Sequence, residues 1–184
     1  MRALRILVVA SVFIIIQVTI TACCTSFNYT FDGVILQNLV NEKVISIQDI
    51  EKSKYGISVN LLGHKYAGIG AYSAGNAKAC DCYSYYQHTT ISDIKIKALE
   101  PGTGVATDVT GGFKGIIWVQ NDYYGYVTIN ELIDDINYYN EYLNEVHLKP
   151  ESSLSIDGYL RFIVEITLEN NQKLTDTTNV VRIY

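Results

Sequence analysis

The sequence predicts a mainly β protein, a single β-sandwich (immunoglobulin-like) with one short helical segment near 128–145. Three observations predict it. Apolar residues recur with a period of two along several short segments. Gly-, Asn- and Ser-rich turns separate those segments, as in sandwiches and barrels. A single stretch switches to helical spacing.

In chain order, residues 1–22 come first. Arg2 and Arg5 form a positive end, Ile6 to Ile16 is an apolar run, and Val18-Thr19-Ile20-Thr21-Ala22 leads into Cys23. That is the pattern of a secretory signal. The apolar run is short of the ~20 residues that span a bilayer; the alternative is a single-pass anchor using residues 4–22. Strands are expected at Tyr29–Gln37, Tyr55–Leu62, Ile91–Leu99 and Gly115–Gln120, with Ile57, Val59 and Leu61, and then Ile94, Ile96 and Ala98, as the alternating sets. The stretch Gly63–Lys78, rich in Gly, Ala and Ser, reads as a long surface loop. Thr128-Ile-Asn-Glu131 is a capping box, in which the Thr hydroxyl accepts the Glu131 amide while the Glu side chain reaches back. Ile129, Leu132, Ile133, Ile136, Tyr139 and Leu143 then recur at helical spacing, with a bend or stop near Asn137–Asn140. In the last strand pair Leu160, Phe162, Val164, Ile166 and Leu168 alternate with Arg161, Ile163, Glu165 and Thr167. The Asn-rich turn Glu169–Gln172 then returns the chain through Lys173 to Tyr184.

Cleavage before Cys23 would leave 162 of the 184 residues, about one domain. The expected division is therefore a signal peptide at 1–22 and a single β-rich domain at 23–184 on a short N-terminal tether. Loss of the two positive charges Arg2 and Arg5 moves the formal net charge from −5 to −7. That balance, without a basic stripe, argues against nucleic acid, whose phosphates demand clustered Lys and Arg.

Several constellations bear on chemistry. Cys80-Asp81-Cys82 would need more ligands to hold zinc; Cys24 and His88 could contribute, but no standard metal spacing is present. A disulfide fits an exported protein better. Cys24 paired with Cys80 or with Cys82 is preferred over the Cys80–Cys82 pair, and one thiol is left over. Gln120 to Glu131 resembles a damaged calcium loop: Asp122, Gly125 and Glu131 fit, but Gln120 and Tyr124 stand where carboxylates are needed. Gly68-Ile-Gly70 and Gly111-Gly112 lack the strand-to-helix context of a phosphate cradle. His64, His88 and His147 are far apart in sequence and accompany no nucleophile motif. The 15 tyrosines, with pairs at Tyr85-Tyr86, Tyr123-Tyr124 and Tyr138-Tyr139, suit either strands or an interface with a partner or sugar.

Ile20-Thr21-Ala22-Cys23 resembles the lipobox of bacterial lipoproteins. The resemblance implies that the Cys23 thiol takes a diacylglyceryl group and becomes the new N-terminus; several acyl chains, palmitate among them, give durable membrane attachment. Over nearly the whole chain the order of weak motifs is similar to an uncharacterised family of Bacteroidetes lipoproteins, known as a domain of unknown function. Those motifs are Ala22-Cys23-Cys24, Phe27-Asn28-Tyr29, Lys54-Tyr55-Gly56, Ala79-Cys80-Asp81-Cys82, Ile91 to Ile96, Asn130–Leu132, Glu141–Asn144 and Thr175-Asp176-Thr177-Thr178. The likeness implies no catalytic residues. Cys24-Thr25-Ser26-Phe27 lacks the acidic run that accompanies surface display in that phylum, which implies the periplasmic face of the outer membrane. Asp176-Thr177-Thr178 resembles its O-glycosylation triplet, with Thr177 as the acceptor. The expected function is a non-enzymatic envelope lipoprotein that binds a protein or glycan partner and uses no cofactor or metal. The alternative is a periplasmic hydrolase or metal-dependent enzyme using the Cys80–His88 region.

Overall fold

The computed structural model describes residues 27–44, 49–67, 85–87, 89–119, 122–123, 125–138 and 145–184, with side chains at 30–44, 49–64, 89–116, 125–138 and 145–184. Internal contacts divide the chain into two units, Met1–Tyr29 with Lys65–Tyr86, and Thr30–His64 with Gln87–Tyr184. Of the first, the described parts are the strand segments at 27–29, 65–67 and 85–86.

The described strands form two sheets. The first has the order β10 (Val127–Thr128), β8 (Phe113–Val119), β11 (Glu145–Pro150), β4 (Tyr55–Ala67), β1 (Phe27–Val40), β2 (Lys43–Val44). Here β5 (Tyr85–Gln87) adds to β1, and β9 (Asp122–Tyr123) adds to β8. The second has the order β3 (Asp49–Ile50), β14 (Val181–Ile183), β12 (Gly158–Leu168), β6 (Ile91–Leu99), β7 (Ala106–Asp108), with β13 (Lys173–Thr177) also on β12. The chain is thus mainly β, its described strands forming a two-sheet sandwich, with one described helix, α1 (Ile129–Tyr138).

Alternation explains the layers. Ile57, Val59 and Leu61 of β4 and Val146 and Leu148 of β11 are buried, and the register sets Val146 beside Val59 and Leu148 beside Ile57. In the second sheet Leu160, Phe162, Val164, Ile166 and Leu168 are buried, as the period-two pattern requires. The layers meet at Phe162, whose ring centroid lies 5.4 Å from that of Tyr55 and 5.6 Å from that of Phe113. Helix α1 closes the core with Leu132 and Ile136. Together with side chains of both sheets they leave an apolar void of about 10 Å³, about the size of a single water.

The helix starts as its capping box dictates. Glu131 accepts the Thr128 amide and hydroxyl, each at 2.8 Å, and the Thr128 hydroxyl accepts the Glu131 amide at 3.3 Å. Its last residue is Tyr138. Glu131 is therefore committed to the helix start, and its carboxylate is held below its usual range by these bonds.

Three expectations change. β4 runs on through Gly63 to Ala67, into the stretch read as a loop. A strand, β11, follows the helix where none was expected. The C-terminal return is two strands, not one: β13 pairs with Ile163–Thr167 and β14 with Gly158–Leu160, both on β12. Thr178 fills the break. Its hydroxyl accepts the Phe162 amide at 3.0 Å, and its own amide donates to the Phe162 carbonyl at 2.9 Å. The turn before it is as expected, with Asn171 at φ +64°.

Candidate functional site

Cys23, Cys24, Cys80, Cys82 and His88 lie outside the described residues. Thr177 is described: it is exposed at the end of β13, opposite Ile163 on the face away from the core. Its neighbours in the triplet are engaged. Asp176 accepts the Leu36 amide at 2.8 Å and Thr178 is buried against Phe162. Among the described residues no group of three or more His, Cys, Asp or Glu is placed to hold a metal ion, and no helix is long and apolar enough to cross a membrane.

The structure brings two of the three histidines to carboxylates. His64 Nδ1 lies 2.8 Å from Asp32, an exposed pair between β4 and β1. His147 Nε2 lies 2.9 Å from Glu145 Oε1, which also accepts the Ser58 hydroxyl at 2.6 Å. Alternation sets Glu145 and His147 on the face of β11 opposite Val146 and Leu148, and the register puts Ser58 beside His147. Burial pushes the Glu145 carboxyl up, but the Ser58 and His147 contacts outweigh it and hold the group below its usual range. The order is Ser–Glu–His, with carboxylate rather than imidazole on the hydroxyl. In the Ser–His–Asp arrangement the imidazole stands on the hydroxyl and takes its proton. Ser58 is 0% exposed and also accepts an Asn60 amide hydrogen at 3.0 Å, so it works as a buried strut between β4 and β11.

Beside this cluster opens a cleft of about 290 Å³, lined by Leu39, Asn41, Glu42, Lys54, Tyr55, Gly56, Tyr126, His147, Leu148 and Lys149. Each wall has a local cause. Val40 pairs with Lys43, which leaves Asn41-Glu42 as a two-residue hairpin loop. Such a loop matches strand twist only with positive φ at both positions, and here they are +49° and +65°. The Asn41 amide donates to the Lys54 carbonyl at 3.0 Å, which fixes the turn against the start of β4. Across the cleft Lys149 Nζ lies 5.3 Å from the centroid of the half-buried Tyr126 ring. Lys54 is paired at 2.6 Å with Glu51, which raises the lysine and lowers the carboxylate. Gly56 forms the floor: a Cβ there would come within 3.1 Å of the Leu148 carbonyl oxygen.

Sequence reasoning missed this site. Asn41 ahead of a polar residue, between the apolar runs ending at Val40 and resuming at Val44, is a hairpin signal that could have located one wall. Tyr126 and Lys149 come together only through the pairing of β8 with both β10 and β11.

No family model matches the chain, and no curated protein matches it. Among solved structures it is similar to the crystal structure of BcpA, the major pilin subunit of Bacillus cereus, at 8% identity and a TM-score of 0.34. That likeness covers 83% of this chain and 40% of the pilin chain, so the chain spans well under half the length of that relative.

Proposed function

We propose that the protein is an exported lipoprotein, acylated at Cys23, that serves the outer membrane's periplasmic face as a non-enzymatic binding protein for a protein or glycan partner. The observation that carries the reading is the apolar run ending in Ile20-Thr21-Ala22-Cys23. Support comes from the cleft, which mixes polar and apolar walls, includes an aromatic ring, and is close to the ~300 Å³ lower end of ligand pockets. The Ser–Glu–His order beside it points away from nucleophilic catalysis.

Two measurements test the reading. Growth of the native cell with labelled palmitate should label the protein, and Cys23→Ala should abolish the label and release the chain from the membrane fraction. An unlabelled wild-type protein sinks the lipoprotein reading. Crosslinking of the native lipoprotein in its own envelope should then capture a partner protein or glycan; repeated recovery of the lipoprotein alone would count against a binding role.

A further inference from the structure

Glu42 stands where its side chain is costly. A non-glycine residue in the left-handed region brings its Cβ too close to the following carbonyl oxygen, and glycine is the residue that takes this place freely. Asn41 belongs to the types that tolerate it; Glu42, at φ +65°, does not. The side chain so retained lines the cleft, and strain held at a site is a pointer to use. A second observation points the same way. Among the described residues, neither Glu42 nor Lys149 has an ion-pair partner, although both line the cleft. The other lysine on the wall is matched, Lys54 by Glu51, and His147 is hydrogen-bonded to Glu145.

We propose that the cleft binds the neutral, polyhydroxylated end of a glycan. The proposal rests on the binding role above and names the ligand class. A carboxylate ligand would meet Glu42, and an ammonium ligand would meet Lys149. A hydroxyl satisfies both, since it donates to a carboxylate and accepts from an ammonium. Asn41 offers a donor and an acceptor beside them, and the Tyr126 ring, steadied by Lys149, gives an apolar wall for the C–H face of a sugar. The volume of about 290 Å³ suits the tip of a glycan rather than an extended chain.

The test uses the mature acylated protein in detergent on an array of neutral, acidic and amino oligosaccharides, with Glu42→Gly and Lys149→Met alongside. The wild type should retain neutral glycans. Glu42→Gly should raise Tm by about 2–4 °C, because it relieves the turn, and still lose at least ~10-fold of the signal. Lys149→Met should lose signal with Tm unchanged. A rise in Tm with binding intact overturns the proposal, and so does a fall in Tm, which would remove the strain on which it stands. Retention of acidic or amino glycans alone also overturns it. A blank array with a crosslinked partner protein in the envelope overturns the glycan inference and leaves the binding role standing; a blank in both overturns both.

Discussion

The backbone amide of Leu36 donates to the Asp176 carboxylate at 2.8 Å, across the two sheets and between residues 140 apart in sequence. Leu36 lies on β1 of the first sheet and Asp176 on β13 of the second. Two residues on, the same segments meet again: the Asn38 side-chain amide donates to the Asn179 carbonyl at 3.0 Å. Asn38 in turn accepts the Tyr55 hydroxyl at 2.9 Å inside the core, where burial pushes that hydroxyl well above its usual range and contact with Thr178 partly offsets the push. The 176–179 segment therefore works as a polar clamp between the layers. Asp176 makes its bond while still paired with Val164 of β12, and Asn179, just past the end of β13, bonds across to β1 where the C-terminal return breaks into two strands.

Asp176→Ala should destabilise the protein by ~1–3 kcal/mol, because it strands a part-buried backbone donor. Equilibrium urea unfolding checks this. Thr177→Ala, exposed on the outer face, should stay within about 0.5 kcal/mol of wild type. The contrast matters for the glycosylation triplet proposed at Asp176-Thr177-Thr178. Substitution of Asp176 perturbs the fold as well as the triplet, so the clean test is loss of mass from Thr177→Ala purified from the native cell.

Asn137 does for the helix end what Asp176 does for the sheet edge. Its side chain accepts the Ile91 amide at 2.9 Å and donates to the Ile91 carbonyl at 2.8 Å. Ile91 needs this partner because β6 is irregular there: Thr167 pairs with Asp93 and Leu168 with Ile91, which leaves Ser92 as an extra residue. The bulge also explains how both Ile91 and Ile94 reach the core. Asn137→Ala should cost ~1–3 kcal/mol and speed hydrogen exchange at the Ile91 amide. Unchanged exchange there would show that the side chain is not the partner that matters.

Much of the sandwich was legible because its signals are local. Phe162, Val164 and Ile166 alternate without interruption, and Thr128 and Glu131, three positions apart, cap a helix. β11 was harder. Glu145 to Pro150 alternates as strictly, with Val146 and Leu148 buried, but it follows helical spacing that continues on paper to Leu143. The clamp and the cleft were not legible at all. Asp176, Leu36, Tyr126 and Lys149 carry no shared motif; sheet topology alone brings them together. Those features depend on long-range pairing, which a period cannot encode.

Gly115 and Leu132 test how tightly α1 sits on the first sheet. A Cβ built on Gly115 runs into the Leu132 side chain, which is fully buried. Gly115→Ala should therefore cost ~1–3 kcal/mol by overpacking, despite the better strand propensity of alanine. Leu132→Val alone should also destabilise, but combined with Gly115→Ala it should recover part of the loss. A double-mutant cycle from denaturant unfolding measures that coupling, expected at 0.5 kcal/mol or more. Strict additivity would mean that the helix shifts to make room.

Asp135 gives a pH-dependent prediction of known sign. Burial, and then the neighbouring charges of Glu131 and Asp134, push its carboxyl above the usual range. It also lies near the C-terminal end of α1, where the helix dipole disfavours negative charge and the last turn contains no basic residue. The folded state therefore holds the Asp135 proton more tightly than the unfolded state. Below the unfolded value, near 4, both states are protonated and the site costs nothing. As pH rises through the raised folded value the ionised group weakens the fold, and the loss is complete at neutral pH. Asp135→Asn should thus stabilise the protein by ~0.5 kcal/mol at pH 7, a figure kept small because the group is only half-buried and solvent screens its charge. The gain should vanish near pH 3. Thermal unfolding of wild type and variant at both pH values decides the matter: an equal gain at each would place the effect in helix propensity rather than in the charge.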